Sequence, residues 1–142
     1  MKIIPRETTD KDVQRLFAEH DDFMIAFLGN DREYYTRYSE GEKIEKAWVA
    51  YCNDSAVGCI AYREKNGETG EVKRMYIKNE YRGKGISKEL LKTVESHAKK
   101  QGCHTLFLDT RINLEPAVSI YYSWGFDMVF QQGLYIQMEK YI

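Results

Sequence analysis

The spacing of apolar residues changes character three times along the chain. After a short opening stretch, Lys2 to Arg6, that reads as a strand with Pro5 suited to a sheet edge, apolar positions recur at helical intervals. Val13, Leu16 and Phe17 share one face, and Thr8, Thr9 and Asp10 just ahead are all residues that cap helices. The cap belongs at Thr9 or Asp10. Residues 21–39 continue as a second helical stretch, with Phe23, Phe27, Leu28, Tyr34, Tyr35 and Tyr38 three or four apart and a break at Gly29-Asn30.

From Ala47 the period falls to two. Ala47–Cys52 and Ala56–Tyr62 read as strands joined by the turn Asn53-Asp54-Ser55. Asn66-Gly67 and Gly70 punctuate a second hairpin, which leads into the strand Glu71–Ile77 and completes a three-stranded meander. A glycine-bearing turn at Arg82–Gly85 opens a helix whose apolar stripe is Ile86, Leu90, Leu91, Val94 and Ala98, with Lys88, Glu89, Lys92, Glu95 and Lys99 facing water. Gly102 ends it. Thr105–Leu108 is nearly all apolar, as in a central strand covered on both faces. Pro116 begins a last helix that stops at Gly125. Phe126–Phe130 and Tyr135–Tyr141 close the chain as a strand pair around Gln131-Gln132-Gly133. The order β-α-α-β-β-β-α-β-α-β-β describes one α+β domain over residues 1–142: a mixed, mostly antiparallel sheet of about seven strands with about four helices.

Composition narrows the functional classes. The 142 residues carry a net charge of −1, which gives no electrostatic footprint for nucleic acid or for an anionic membrane. No apolar run approaches a membrane span, and the first residues lack the pattern of a signal peptide, so a cytoplasmic location is expected. Cys52, Cys59 and Cys103 are odd in number and form no C-x-x-C pair; His20, His97 and His104 are scattered. Neither a disulfide framework nor a metal site is expected.

The candidate chemistry lies in the strand–turn–helix from Glu71 to Ser96. Gly83 and Gly85 let the backbone approach a ligand closely just before a helix start, whose first N–H groups are unpaired and electropositive. Arg82, Lys84 and Lys88 add charge. By itself this is either an anion site or a glycine turn with a solvated basic rim. It is not a Walker loop, because residue 78 is Lys and Gly85 stands where Ser or Thr is needed. It is not a dinucleotide fingerprint either, because Lys88 occupies the third glycine position.

The run Arg82-Gly83-Lys84-Gly85-Ile86-Ser87 resembles the pyrophosphate motif Gln/Arg-x-x-Gly-x-Gly/Ala of the GNAT family of N-acetyltransferases, with small Ser87 at the last position. Val72–Tyr81 is similar to the strand that leads into that motif. Downstream, Ala117-Val118-Ser119-Ile120-Tyr121-Tyr122-Ser123-Trp124-Gly125-Phe126 resembles the family's Ala-x-x-x-Tyr-x-x-x-Gly-Phe. The resemblance runs from about residue 47 to the C-terminus.

It implies a GNAT fold and an enzyme that binds acetyl-CoA as cosubstrate and acetylates a primary amine of a small molecule or an exposed amino group. Backbone N–H groups of Arg82, Gly83, Lys84, Gly85, Ile86 and Ser87 would hold the pyrophosphate. Met75, Tyr76 and Ile77 would pair with the pantetheine arm as an added strand, the Ile77 N–H would receive the oxyanion, and Asn113 would contact the cofactor, four residues before Ala117 rather than the usual three. Tyr121 matches the family's acid, with a core aromatic as the bland reading. Glu71 is the candidate base; the alternative is a strand carboxylate paired with Lys or Arg. The aromatic set of residues 23–38 either shapes the acceptor pocket or is plain core, and Asp21, Asp22 and Glu33 either attract a cationic amine or are solvated. Partners are therefore acetyl-CoA and an amine, with no metal, nucleic acid or membrane, and a homodimer left open. The rival function is a CoA-binding regulator without turnover; O-acetylation or a longer acyl chain are variants within the fold.

Overall fold

Asp10 starts the first helix by accepting hydrogen bonds from the N–H groups of Asp12 and Val13, at 2.9 and 3.3 Å. The computed structural model describes residues 1–33, 35 and 42–142. Among these the elements are β1 (Lys2–Arg6), α1 (Lys11–Leu28), β2 (Lys46–Cys52), β3 (Ser55–Asn66), β4 (Thr69–Ile77), α2 (Ile86–Lys100), β5 (Thr105–Arg111), α3 (Glu115–Trp124), β6 (Asp127–Gln132) and β7 (Tyr135–Tyr141). The strands form one seven-stranded sheet in the order β1-β2-β3-β4-β5-β7-β6. All neighbours are antiparallel except β4 and β5. Pro5 lies on edge strand β1, as its missing N–H requires.

The fold class expected from the sequence holds, with one correction among the helices. The stretch expected to be a separate helix from residue 21 is continuous with α1 as far as Leu28. Gly29, at φ +56°, then ends the helix, and Gly29–Asp31 is a single 3₁₀ turn. No Gly or Pro divides Phe17 from Phe23, and the Asp21 side chain there accepts from Arg74 and the Tyr35 hydroxyl instead of capping a new helix. Tyr34 and Tyr38 lie outside the described residues.

Alternation along the strands sorts side chains into two cores. Trp48, Ala50, Ile60, Tyr62, Leu106 and Leu108 pack under α2 and α3. Ala47, Val49 and Cys59 pack under Val13 and Leu16 of α1. The helices therefore cover opposite faces of the sheet. It follows that Phe107, Asp109 and Arg111 of β5 point to the α1 face, as do Tyr135 and Gln137 of β7.

Two irregularities open the sheet. On β3, Cys59 and Ala61 are two residues apart, but their partners on β4, Tyr76 and Lys73, are three apart. The extra residue is a β-bulge. Arg74 within it has φ +50°, a left-handed conformation that costs a non-glycine residue roughly 1–2 kcal/mol. Meanwhile β4 and β5 pair only at Thr69–Thr105, Gly70–Leu106 and Glu71–Phe107. Beyond that point they diverge, and Val72–Ile77 faces Leu108–Arg111 across a cleft of about 980 Å³.

Candidate functional site

One mouth of the cleft is the glycine turn. Gly83 and Gly85 have φ of +76° and +83°, which only glycine adopts cheaply, and a Cβ at either would meet no atom within 4 Å. The space above the turn is open to a ligand. Gly85 caps α2 without any side-chain hydrogen bond, so the first N–H groups of a 15-residue helix remain available to an anion. Arg82 turns inward: its Nε donates to the Ile77 carbonyl at 2.9 Å, and its guanidinium lies over the rings of Phe23 and Tyr76. Lys84 instead lies over the ring of Tyr81, 5.4 Å from the centroid.

The β4 wall presents backbone to the cleft. The Lys78 N–H donates to the Val57 carbonyl, on the β3 side, at 2.9 Å. Alternation in an antiparallel ladder turns the neighbouring Ile77 N–H and C=O the other way, into the gap left by β5. The Arg82 bond to the Ile77 carbonyl agrees with that orientation. Opposite, Tyr121 of α3 is 8% exposed and lines the cleft with Ala117 and Ile120. Burial, with the nearby charge of Asp109, pushes its phenol above the ordinary value, so it stays protonated at neutral pH.

The α1 side of the cleft is polar and densely paired. Lys73 Nζ donates to Glu42 at 2.9 Å and to Glu71 at 3.4 Å, and Arg63 Nε donates to Glu71 at 2.9 Å. Arg74 bonds Asp21 at 2.7 Å and Glu42 at 3.2 Å, and lies over the Phe17 ring. These ion pairs hold the bulge in its strained conformation. Burial works against the Lys73 ammonium, but the hydrogen bond and charge of Glu42, with Glu71 and Asp109, outweigh it and raise its pKa. His20, against Arg74 and the Tyr76 ring, is pushed down to about 4 by burial and then by the Arg74 charge. On β5 and β7, Gln137 donates to the Tyr135 hydroxyl at 2.9 Å, and that hydroxyl donates to Asp109 Oδ2 at 3.2 Å.

The structure gathers most of the residues expected from the sequence. Met75, Tyr76, Ile77, Arg82, Gly83, Gly85, Ile86, Ser87 and Tyr121 all line the cleft. Lys84 and Asn113 do not; Asn113 is exposed in the turn after β5. Nor does Glu71, which is 2% exposed, still in register with Phe107 behind the point of divergence, and closed in by Arg63 and Lys73. Asp21 serves Arg74 and the Tyr35 hydroxyl. Sequence reasoning missed Glu42, Asp109 and Arg111, all of which line the cleft. The signal for two of them was present: Phe107-Leu108-Asp109-Thr110-Arg111 alternates, so a strand that begins as core ends with two ionisable groups on one face. None of Cys52, Cys59 and Cys103 lines the cleft. Burial drives the Cys59 thiol up to about 12, and its Sγ contacts the Arg74 carbonyl at 3.4 Å. No cysteine is placed to carry an acyl group.

A sheet split at a bulge, with a glycine turn and bare helix N-terminus at the mouth of the split, defines the acyl-CoA transferase class of α+β folds. The chain belongs to the acetyltransferase (GNAT) family, whose model matches residues 11–126. Among curated relatives, "Probable N-acetyltransferase 14" of Xenopus tropicalis is 35% identical over 97 residues, 67% of this chain and 46% of that protein. N-acetyltransferase 8 of Mus musculus is 36% identical over 84 residues, 56% of this chain and 37% of that protein. The chain thus spans about half, or less, of the length of the curated relatives it matches. PaiA N-acetyltransferase of Thermoplasma acidophilum, solved in complex with coenzyme A, shares the fold with a TM-score of 0.75 over 100% of both chains at 22% identity. A GNAT family acetyltransferase of Elizabethkingia anophelis with acetyl-CoA bound gives 0.70 over 99% of this chain and 97% of that one, at 18% identity. Among the described residues no helix is long and apolar enough to cross a membrane, and no group of three or more His, Cys, Asp or Glu could hold a metal ion.

Proposed function

We propose that the protein transfers the acetyl group of acetyl-CoA directly to a primary amine, on a small molecule or an exposed amino group. The observation that carries this reading is the divergence of β4 and β5, which leaves inward-facing backbone groups on one wall, a buried phenol on the other and an anion-binding helix start at the mouth. The pyrophosphate of acetyl-CoA occupies the turn from Arg82 to Ser87, and the pantetheine arm extends β4 along Met75 to Ile77. Its thioester then lies between the Ile77 N–H and Tyr121.

The acceptor enters from the α1 face. An alkyl ammonium has a pKa of about 10, so it must lose a proton before it attacks. Of the cleft carboxylates, Glu42 has both oxygens bound by Lys73 and Arg74, so neither is open to receive a proton from an arriving amine. We assign that proton to Asp109, which lines the cleft and accepts a hydrogen bond from the Tyr135 hydroxyl. Glu71 has its oxygens on Arg63 and Lys73, and holds Lys73 in place rather than meeting the amine. The amine nitrogen forms a bond to the thioester carbon, and the Ile77 N–H stabilises the oxyanion. The C–S bond breaks and the departing sulfur takes the Tyr121 proton, which is replaced from the amine by way of Asp109.

A thiol-release assay with a panel of primary amines, run beside a thermal-shift titration with acetyl-CoA, tests this reading. A raised melting temperature with amine-dependent release supports it. A raised melting temperature with no release on any amine indicates the regulatory, non-catalytic alternative.

A further inference from the structure

The acceptor side of the cleft carries a cation that the transfer reaction does not use. Arg111 sits two residues beyond Asp109 on the same face of β5, at the open end of the divergence. Its Nη2 reaches Asp31 Oδ2 at 3.1 Å, but its Nε is buried with no hydrogen-bond partner among the described residues. A buried donor left unpaired is unfavourable and uncommon in native proteins. The Nε–Nη2 edge of a guanidinium matches the two oxygens of a carboxylate, and here Asp31 occupies only half of it. Asp31 is a weak holder: its side chain is 59% exposed and it lies in the 3₁₀ turn that follows α1. An arriving carboxylate that displaces it would satisfy both N–H groups.

The spacing along β5 specifies more. Residues i and i+2 of a strand are roughly 6–7 Å apart on one face. Asp109 is therefore placed for an ammonium and Arg111 for a carboxylate about one small molecule's length away. The glycine turn lies at the α2 N-terminus and α2 packs on the opposite face of the sheet, so Arg111 is not a second holder of the pyrophosphate.

We infer that the acceptor is a zwitterion, an amine that carries its own carboxylate within a few bonds, as a free amino acid does, and that Arg111 is the residue that selects it. This rests on the proposed function for the identity of the site but not for its test. The test is calorimetric binding to the CoA-saturated protein of free amino acids, one at a time, against their amides, which keep the amine and cap the carboxylate. At least one free acid should bind about 10–100-fold tighter than its amide, the range of a charge-assisted contact. Arg111→Gln should abolish that difference, and Arg111→Lys should restore only part of it. Asp31→Asn should keep or strengthen binding of the acid, because it removes a competitor. Equal binding of acid and amide by the unaltered protein, or binding of neither, overturns the inference. The first comparison needs no variant to fold. Acid-selective binding without thiol release would sink the transfer reading while leaving this one standing.

Discussion

At the scale of single residues, the proposed reaction divides the proton work between Tyr121 and Asp109, while Glu71 pairs with Lys73 and Arg63. Tyr121→Phe keeps the ring packing against Phe126 and removes only the hydroxyl. Steady-state kinetics should show kcat reduced about 100-fold with the KM for acetyl-CoA largely unchanged. Unchanged kcat would remove Tyr121 from the mechanism. Glu71→Gln should act differently. It leaves Arg63 and Lys73 facing a neutral amide while Lys73 keeps Glu42, so urea unfolding should show a loss of about 1.5–3 kcal/mol, while kcat of the folded fraction changes little. A large kcat loss without a stability change would return the base role to Glu71. Tyr121 was legible in the sequence because its spacing to Gly125-Phe126 repeats a motif. Asp109 and Arg111 showed only as the polar end of an alternating run, because their place in a cleft depends on β5 running three residues past its apolar core and diverging from β4. Glu71 sits at a strand start in sequence, and only the register with Phe107 shows that it lies behind the divergence.

At the scale of elements, the turn before α2 and the bulge in β4 do most of the positioning. Gly85→Ala tests the turn. The new methyl meets no protein atom, so its cost is the positive φ, roughly 1–2 kcal/mol, and its other effect falls on the ligand. Acetyl-CoA titrations should show affinity weakened about tenfold or more. Gly70→Ala is the control. Its Cβ would fall 2.5 Å from Tyr62 Cε2, so it should destabilise by about 1–3 kcal/mol and leave acetyl-CoA affinity unaffected in the folded protein. If Gly85→Ala behaves like Gly70→Ala, the turn is structural only. The glycine turn and the amphipathic α2 were readable from residue types, since each follows from local rules. The bulge was not. Arg74 adopts φ +50° because Asp21, Glu42 and Phe17 hold its guanidinium, and all three come from segments remote in sequence.

At the scale of the whole molecule, the polar face under α1 makes stability depend on pH. His20 is held neutral, pushed down to about 4 by burial and by Arg74. The unfolded chain therefore binds a proton at His20 more readily than the folded one. Stability is fully present above about pH 6.5 and is lost as pH falls toward 4, by up to about 3 kcal/mol. Urea midpoints between pH 7 and 4 should fall less steeply for His20→Gln than for the unaltered protein; parallel curves would show that His20 charges freely in the fold. The meander β2-β3-β4 and the closing pair β6-β7 were legible because each hairpin is local. The parallel β4–β5 contact, which makes the cleft, joins residues that α2 separates, and nothing local announces where that contact ends.

The central claim, that this cleft moves an acetyl group to nitrogen, is tested most directly by following the group itself. Protein is mixed with acetyl-CoA labelled in the acetyl carbons and a panel of primary amines that includes free amino acids, and products are read by mass spectrometry. A labelled amide is expected, formed in equal amount to free CoA and largely lost in Tyr121→Phe. Labelled acetyl-CoA that binds and is recovered intact with every amine would contradict it.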